Sequence, residues 1–152
     1  MKIIILGGTG TVGHILTRYL LPFHNITIFS RNENLQWKMS RDFPQCRFVI
    51  GDIRDYDAIS KSLVDQDIVI HLAALKHVSV CENNPEEAQK TNVLGTYNIM
   101  IACIKSTEIQ KALYFNTDKS INPINVYGRS KLRASEIWKR FSAGQAGRII
   151  QT

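Results

Sequence analysis

The chain has 152 residues, of which 44% are hydrophobic and 21% are charged, and its formal net charge is +6. This length predicts one domain over residues 1–152, large enough to bury roughly 70% of the surface that the unfolded chain exposes. The composition is that of a globular protein and excludes a disordered or fibrous one. No apolar run is long enough to cross a bilayer or to form the core of a secretory signal, so we expect a cytoplasmic protein without a membrane partner.

The cysteines bear on the compartment and on metal binding. Cys46, Cys81 and Cys103 are odd in number and scattered, which excludes a complete disulfide framework and agrees with a reducing compartment. His77 and Cys81 are four residues apart, but no further ligand residues gather near them in the sequence, and the paired spacing of a zinc site is absent. We therefore predict that the protein holds no metal.

Short apolar, β-branched runs alternate with longer amphipathic stretches along the chain, which is typical of a parallel sheet with crossover helices. The predicted strands cover residues 2–6, 26–30, 46–50, 67–72, 112–116 and 148–151. The predicted helices lie near residues 11–21, 33–43, 55–64, 85–106 and 125–143. The pattern indicates a βαβ series in one sheet, and the sequence ends as its sixth strand begins.

A glycine-rich motif follows the first predicted strand and opens the first helix. It matches G-x-G-x-x-G at Gly8, Gly10 and Gly13, and Gly7 adds the spacing G-x-x-G-x-x-G. Such glycines allow a tight turn and a close approach of backbone N–H groups to a pyrophosphate at the helix N-terminus. The motif predicts a doubly wound α/β fold of the Rossmann type, with a plain structural turn as the alternative. The candidate cofactor-binding residues of this loop are Gly7, Gly10, Thr11, Val12 and Gly13.

The residues after the second strand bear on which dinucleotide binds. An acid at that place would hold an adenosine ribose 2′-hydroxyl, but this sequence has Ser30 and Arg31. The planar guanidinium of an arginine pairs well with a 2′-phosphate, which an acid would repel. The pattern favours NADP over NAD, with an arginine that merely caps the loop as the alternative.

Two further strand ends reach the same edge of the predicted sheet. Asp52 and Ile53 follow the third strand, where an adenine could lie. Ala73 and Ala74 follow the fourth strand, where small side chains would let the middle of the cofactor pass closely. Because the carboxyl ends of parallel strands meet at one edge, these residues and the glycine loop predict one crevice.

A hydroxyl residue, a tyrosine and a lysine follow the fifth strand. Tyr127 and Lys131 are four residues apart and share one face of the predicted helix, so the ammonium group can stabilise a phenolate and make the phenol a usable base. Thr117, ten residues before Tyr127, completes a candidate catalytic triad. A Tyr-x-x-x-Lys pair occurs by chance in many helices, and its value here comes from its place in a dinucleotide-binding fold.

The excess of positive charge is concentrated in residues 129–140, where five cations accompany one acid. A solvated helix face, a contribution to nucleotide or phosphate binding, and nucleic-acid binding are all compatible with such a stretch. No aromatic ladder, recognition-helix pattern or zinc spacing accompanies it, so we do not expect a nucleic-acid partner.

Together these motifs resemble those of the extended short-chain dehydrogenase/reductase superfamily. More narrowly, the chain resembles the inverting UDP-N-acetylglucosamine 4,6-dehydratases and their polysaccharide-biosynthesis relatives, over nearly its whole length. The segments that carry the resemblance are 73–78 (AALKHV), 84–86 (NPE), 90–95 (KTNVLG), 117–119 (TDK) and 122–128 (NPINVYG).

The resemblance implies a role for each residue of the catalytic segments. Tyr127 would take the proton of the sugar C4 hydroxyl while hydride passes to NADP, Thr117 would hold the oxygen, and Lys131 would tune the phenol and grip the ribose. Lys119 would then remove the C5 proton, and a protonated Asp118 would help the C6 hydroxyl leave as water. A turn-stabilising ion pair is the alternative for Asp118 and Lys119.

The resemblance extends to supporting residues. Asn92 would support the active-site network and Lys76 would lie on the loop beside the substrate, and both are candidate cofactor-binding residues. Asn116 departs from the serine that the family has before Thr-Asp-Lys, which leaves the triad intact.

Self-association is a further expectation, because the helices near 85–106 and 125–143 form the dimer face in the resembling family. Ordinary internal packing is the alternative for the apolar residues on these helices. The residues expected to offer apolar surface are Tyr97, Ile101, Ile104, Ile137 and Trp138.

Members of the family run to roughly twice this length, with a second domain that grips the substrate. We therefore expect a Rossmann sheet truncated at about strand six, without the substrate domain. One expected function is an NADP-dependent nucleotide-sugar 4,6-dehydratase acting on UDP-N-acetylglucosamine, active when a partner chain supplies the rest. The other is a non-catalytic dinucleotide-binding module that joins or regulates a full-length homologue.

Overall fold

The computed structural model describes residues 1–143 and 149–151. Its strands are β1 (Lys2–Leu6), β2 (Asn25–Ser30), β3 (Arg47–Ile50), β4 (Ile68–His71), β5 (Lys111–Tyr114) and β6 (Ile149–Gln151). Its α-helices are α1 (Thr11–Leu20), α2 (Glu33–Asp42), α3 (Tyr56–Ser62), α4 (Val78–Asn83), α5 (Pro85–Ala88), α6 (Gly95–Lys105) and α7 (Val126–Ser142). A π-helical turn, Gln89–Leu94, joins α5 to α6, and a 3-10 turn, Asp118–Ser120, follows β5.

These strands all run parallel in one sheet, in the order β3-β2-β1-β4-β5-β6. The chain lays β2 and β3 to one side of β1 and the later strands to the other, which is the doubly wound order of the Rossmann fold. The predicted fold class is confirmed. Because the strand order reverses between β1 and β4, the loops that follow these two strands diverge and leave a crevice at the carboxyl edge of the sheet.

The predicted strands agree with the observed ones to within about two residues at each end, because buried parallel strands read as short β-branched runs. Arg148, the first residue of the predicted sixth strand, lies outside the described residues. The helix α4 was not predicted, and the helix predicted near residues 85–106 contains the π-helical turn. Asn84 leaves the helical region with φ −138° and ψ 60°, as expected before Pro85, and thereby separates α4 from α5.

Two apolar layers cover the faces of the sheet. On one face, Trp138 of α7, Met100 of α6 and Ile59 of α3 pack over the sheet in a single cluster. On the other face, Met39 of α2 and Phe43 pack against buried isoleucines of β1 and β2. The helices therefore hold the sheet from both sides, and the loops at its carboxyl edge are set on a rigid base.

One residue expected on a self-association surface is in the core. Trp138 is wholly buried and stacks on the ring of Tyr114, so the expectation is wrong for this residue. Ile104 and Ile137 are half-buried against the same core, whereas Tyr97 is exposed. Trp138 is buried because α7 turns this side chain toward β5 rather than toward solvent.

The described residues were also searched for membrane-spanning helices, disulfides and clusters of metal ligands. No helix among them combines the length and the apolar character that crossing a bilayer requires. Among the described residues, Cys46, Cys81 and Cys103 are buried and form no disulfide. Within residues 1–143 and 149–151, no three metal-ligating side chains come together.

Candidate functional site

Two adjoining grooves form one crevice along the carboxyl ends of β1, β2, β4 and β5. The first groove, of about 290 Å³, is lined by Gly7, Thr9, Gly10, Phe29, Ser30, Arg31, Asn32, Leu35, Gly51, Ile53, Leu72, Ala73, Ala74, Lys76 and Thr91. The second groove, of about 270 Å³, is lined by Gly7, Gly10, Thr11, Val12, Gly13, Leu72, Ala74, Lys76, Phe115, Asn116, Thr117, Tyr127 and Lys131. Because five residues border both grooves, the crevice runs without a break from Arg31 to Lys131.

The glycine loop between β1 and α1 borders the crevice where the two grooves meet. Gly7 has a φ of +80°, and a Cβ there would lie 2.6 Å from the backbone of Ala73. A Cβ at Gly13 would overlap the carbonyl group of Gly8. Both positions therefore require glycine. A side chain at position 7 would push the loop away from β4, and a side chain at position 13 would push α1 away from the loop. The N-cap residue of α1, Gly10, has no side chain with which to cap the helix, so in the described part of the chain the positive end of the helix dipole faces the crevice.

Charged residues border the outer end of the first groove. Arg31 lines the groove, and its Nη1 lies 3.5 Å from Oδ2 of Asp52. Arg54 holds the same oxygen more closely, with its Nη2 at 2.7 Å and its Nε at 2.9 Å. Partial burial raises the pKa of Asp52, but hydrogen bonds from Arg54 outweigh it and hold that pKa below its ordinary value. Asp52 is thus an ion-paired carboxylate beside the groove, and its neighbours Gly51 and Ile53 form the lining.

A buried glutamine fixes the end of β2 at this groove. Nε2 of Gln36 donates to the carbonyl and the hydroxyl of Ser30 at 3.0 and 3.1 Å. It also approaches the carbonyl of Val49 at 2.7 Å. The side chain of Gln36 therefore ties the ends of β2 and β3 together and orients Ser30, a role that the sequence did not reveal.

Tyr127 and Lys131 lie one turn apart on α7 and line the second groove together with Thr117. Both are buried, with 8% and 4% of their surfaces exposed. Nζ of Lys131 donates to the carbonyl of Phe115 at 2.7 Å and lies 4.1 Å from the ring centroid of Tyr114. Burial lowers the pKa of Lys131 to about 7, so this group exchanges its proton near neutral pH. The structure thus brings the three residues of the predicted triad to one groove.

An aromatic wall that the sequence did not reveal lies behind Lys131. Tyr114 stacks on Trp138 with ring centroids 5.4 Å apart, and the ring of His71 lies 5.2 Å from that of Tyr114. Nε2 of His71 pairs with Oγ1 of Thr96 at 2.9 Å. Burial, with the charge of Lys131 adding to it, holds the pKa of His71 well below its ordinary value, so the ring is neutral. The face of Tyr114 therefore supplies the ammonium group with a cation–π contact in place of water.

Asn92 lies in the π-helical turn and joins the loop after β4 to α7. Its side-chain oxygen accepts the N–H of Leu75 at 2.8 Å, and its side-chain nitrogen donates to the carbonyl of Leu75 and to Oγ of Ser130, both at 2.9 Å. Ser130 donates in turn to the carbonyl of Tyr127 at 2.8 Å. Asn92 is buried and stands behind the residues that line the two grooves, so its contacts position α7 against the loop.

Asp118 and Lys119 lie at the surface beside Thr117. Their side chains are 85% and 54% exposed and pair with each other at 3.8 Å. Oδ1 of Asp118 also accepts the hydroxyl of Thr117 at 3.0 Å and the N–H of Lys119 at 2.9 Å. The hydrogen bond from Thr117, followed by the charge of Lys119, holds the pKa of Asp118 below its ordinary value. This direction is opposite to the protonated acid that the resemblance implies, and the contacts agree with the alternative of a turn-stabilising ion pair.

Several groove residues were missed by the sequence reasoning, although some carried a signal. Phe29, Leu72 and Phe115 lie at or just after the ends of β2, β4 and β5, the same placement that singled out the alanines. Thr91 comes from the π-helical turn, whose register a regular helical period does not predict. Its buried Oγ1 has no hydrogen-bond partner among the described residues.

The basic stretch divides into one buried cation and a solvated face. Lys131 is the buried member of the set and belongs to the second groove. The exposed members are Arg129, Arg133, Lys139 and Arg140. The solvated-face interpretation therefore suits these four side chains.

The doubly wound sheet, the glycine loop after β1 and the Tyr127–Lys131 pair on α7 define the class as the extended short-chain dehydrogenase/reductases. The family described as polysaccharide biosynthesis protein matches residues 3–148. The chain belongs to this family, and the resemblance drawn from its motifs is confirmed.

Individual relatives share the fold and much of the sequence. The chain is 41% identical over 142 residues to the inverting UDP-N-acetylglucosamine 4,6-dehydratase of Campylobacter jejuni, a match covering 90% of this chain and 42% of that protein. It is 39% identical over 137 residues to the UDP-glucose 4-epimerase of Rickettsia canadensis, covering 85% of this chain and 40% of that protein. The solved structure of Pen from Bacillus thuringiensis superposes with a TM-score of 0.92 at 34% identity, covering 99% of this chain and 48% of that one. This chain thus spans less than half the length of these relatives.

Proposed function

We propose that residues 1–152 form one cofactor-binding domain of an NADP-dependent nucleotide-sugar 4,6-dehydratase, with UDP-N-acetylglucosamine as substrate. The observation that carries the proposal is that Arg31 and Lys131 border opposite ends of one continuous crevice. The crevice suits an extended dinucleotide, because Gly7 keeps the loop close to the end of β4, Gly13 keeps α1 close to the loop, and neither adds a side chain to the path.

Each part of the dinucleotide would meet different residues of the crevice. The adenine would lie near Asp52 and Ile53, and a 2′-phosphate would pair with Ser30 and Arg31. The pyrophosphate would lie at the open N-terminus of α1, and Tyr127 and Lys131 would hold the nicotinamide ribose. The other residues proposed to contact or support it are Gly10, Thr11, Val12, Ala73, Ala74, Lys76 and Asn92.

The second groove supplies the groups for oxidation at the sugar C4. When bound, the nicotinamide supplies an acceptor for a hydride and later its donor. Tyr127 takes the proton of the C4 hydroxyl, and Thr117 hydrogen-bonds the same oxygen. The ammonium of Lys131, buried and held by the carbonyl of Phe115, stabilises the phenolate form of Tyr127 that accepts this proton and becomes the phenol. Because His71 is neutral, it adds no second positive charge beside the Lys131 ammonium.

The elimination step needs a base at C5 and a proton donor for the C6 hydroxyl. Lys119 and Asp118 are proposed for these tasks, since they follow Thr117 directly. They pair with each other at the surface, so the substrate would have to separate them and shield Asp118 from water before it could hold a proton. The name of the Campylobacter relative supports this chemistry and this substrate.

A second candidate function is a dinucleotide-binding module that does not catalyse and that associates with a full-length homologue. The exposure and mutual pairing of Asp118 and Lys119 favour it, because neither side chain lines the second groove, where Tyr127 and Lys131 lie. Under this alternative the crevice still binds the dinucleotide, and only turnover is lacking.

The two candidates are separated by measuring binding and turnover in turn. Calorimetry with NADP should show binding to the chain itself. NMR should then show a 4-keto sugar formed from UDP-N-acetylglucosamine once the part of the Campylobacter relative beyond this match is supplied as a separate chain. The control Tyr127→Phe should still bind NADP but lose at least about a hundredfold in turnover. Absence of NADP binding would refute both candidates, whereas binding without turnover would favour the module.

A further inference from the structure

A small network of charges surrounds the outer end of the first groove. Arg54 is its centre: its Nε and Nη2 bind Oδ2 of Asp52, and its Nη1 binds Oε2 of Glu87 at 2.7 Å. The backbone N–H of Arg54 also donates to Oδ1 of Asp52 at 2.9 Å. Glu87 pairs further with Lys90 at 3.1 Å. Arg31 stands at the edge of this network, 3.5 Å from Oδ2 of Asp52 and 47% exposed.

The network has three cations and two carboxylates, so its net charge is positive. Arg54 and Lys90 neutralise Asp52 and Glu87, so the fifth member, Arg31, carries a charge that is not balanced within the network. Without Arg54, the nearest cation to Asp52 in the network would be Arg31. A carboxylate paired with Arg31 would occupy its guanidinium fork and repel any phosphate brought to it.

We propose that Arg54 is a positioning residue for anion recognition: by occupying Asp52 it leaves Arg31 free to bind a phosphate on the 2′ position of an adenosine ribose. This inference rests on the proposed function, because it takes the first groove as the adenosine end of the crevice. It goes beyond the presence of Arg31 itself, since it assigns the preference for a 2′-phosphate to a residue that does not line the groove.

Two adenosine ligands test the inference without the nicotinamide end of the crevice. The affinities of 2′,5′-ADP and 5′-ADP are measured by calorimetry at one fixed ionic strength, and their ratio reports only the response to the 2′-phosphate. The wild-type chain should prefer 2′,5′-ADP by about tenfold or more, as for a charge-assisted contact. Arg54→Met should reduce this preference by about fivefold or more, because Asp52 then pairs with Arg31.

A compensating change distinguishes positioning from a structural role. In the double variant Asp52→Asn with Arg54→Met, the carboxylate is gone and Arg31 is free again, so the preference should return to near its wild-type value. The amide introduced at position 52 keeps an oxygen for the backbone N–H of residue 54. Glu87→Gln is the matched control: it removes an ion pair of Arg54 that does not touch Arg31, and the preference should stay within about twofold.

The possible results distinguish a failure of the role proposed for Arg54 from a failure of the proposed function. An unchanged preference in Arg54→Met, or no recovery in the double variant, would overturn the inference while 2′,5′-ADP binding still supported the proposed function. A wild-type chain that prefers 5′-ADP would overturn the inference and the assignment of NADP. Failure of both ligands to bind would refute the adenosine site itself.

Discussion

The two ends of the crevice hold their cations in different surroundings. At the outer end, Arg31, Asp52 and Arg54 are 47%, 23% and 33% exposed and interact as ion pairs beside water. At the inner end, Lys131 is almost fully buried between a carbonyl oxygen and the face of Tyr114. Water and salt screen the charges at the outer end and have little access to the inner one.

This difference separates ligand preference from chemistry. Substitutions at the outer end, where we propose that the 2′-phosphate binds, should have little effect on folding, because its ion pairs are screened. At the inner end, Lys131 exchanges its proton near neutral pH. Burial of its charge lowers the stability of the folded chain. Three predictions test this contrast, in order of decreasing effect.

The largest effect is expected from Lys131→Met, and it should depend on pH. The pKa of about 7 in the folded chain lies below that of a lysine in an unfolded chain, so the unfolded chain binds more protons between about pH 7 and pH 10. The stability contributed at this site therefore rises with pH through that window and is flat below it. Relative to the variant, the free energy of unfolding of the wild type should rise by up to about 1.4 kcal/mol per pH unit, measured by urea unfolding.

The test uses the difference in the free energy of unfolding between the wild type and Lys131→Met, so the effects of other titrating groups cancel. Burial raises the pKa of Cys46 to about 11, which lowers stability above the pKa of a free thiol, but it does so in both proteins. Lys76→Met provides a matched control, since Lys76 is exposed at the same crevice, and its curve should run parallel to the wild type. A parallel curve for Lys131→Met as well would contradict the burial of its charge.

An intermediate effect is expected when the same residue type is truncated at each end. Asn92→Ala leaves the N–H and carbonyl of Leu75 and the hydroxyl of Ser130 without their partner, and should lower the free energy of unfolding by about 3 kcal/mol. Asn32→Ala at the outer end removes a helix cap, the acceptor of the Leu35 N–H, and should lower it by about 1 kcal/mol. Equal losses in urea unfolding would remove the contrast between the two ends.

The smallest effect is expected from Arg31→Gln. Its partner Asp52 is already held by Arg54, and the Arg31 contact is long and exposed, so the free energy of unfolding should change by less than about 0.5 kcal/mol. Thermal and urea unfolding at low and high salt measure this change. A loss above about 1 kcal/mol would mean that the outer end, too, supports the fold.

Local patterns in the sequence were enough to predict much of the fold and part of the site. Gly7 and Gly13 were found because a tight turn before a helix admits few other residues, and Tyr127 and Lys131 because positions four apart share a helix face. The contacts of Asn92 could not be predicted, since they join residues 17 and 38 positions away in the chain. The aromatic wall of His71, Tyr114 and Trp138 likewise joins two strands and a helix that are distant in sequence.

The sequence by itself determined the order of the strands and of most helices, the glycine loop and the spacing of Tyr127 and Lys131, because each depends on neighbouring residues. Only the tertiary structure decided the state of each charge. Lys119 and Lys131 both follow β5, yet Lys119 is more than half exposed and Lys131 is buried. The reason is physical: Lys119 lies in the exposed turn after β5, whereas α7 packs Lys131 against β5, and that burial lowers the pKa of Lys131 to about 7.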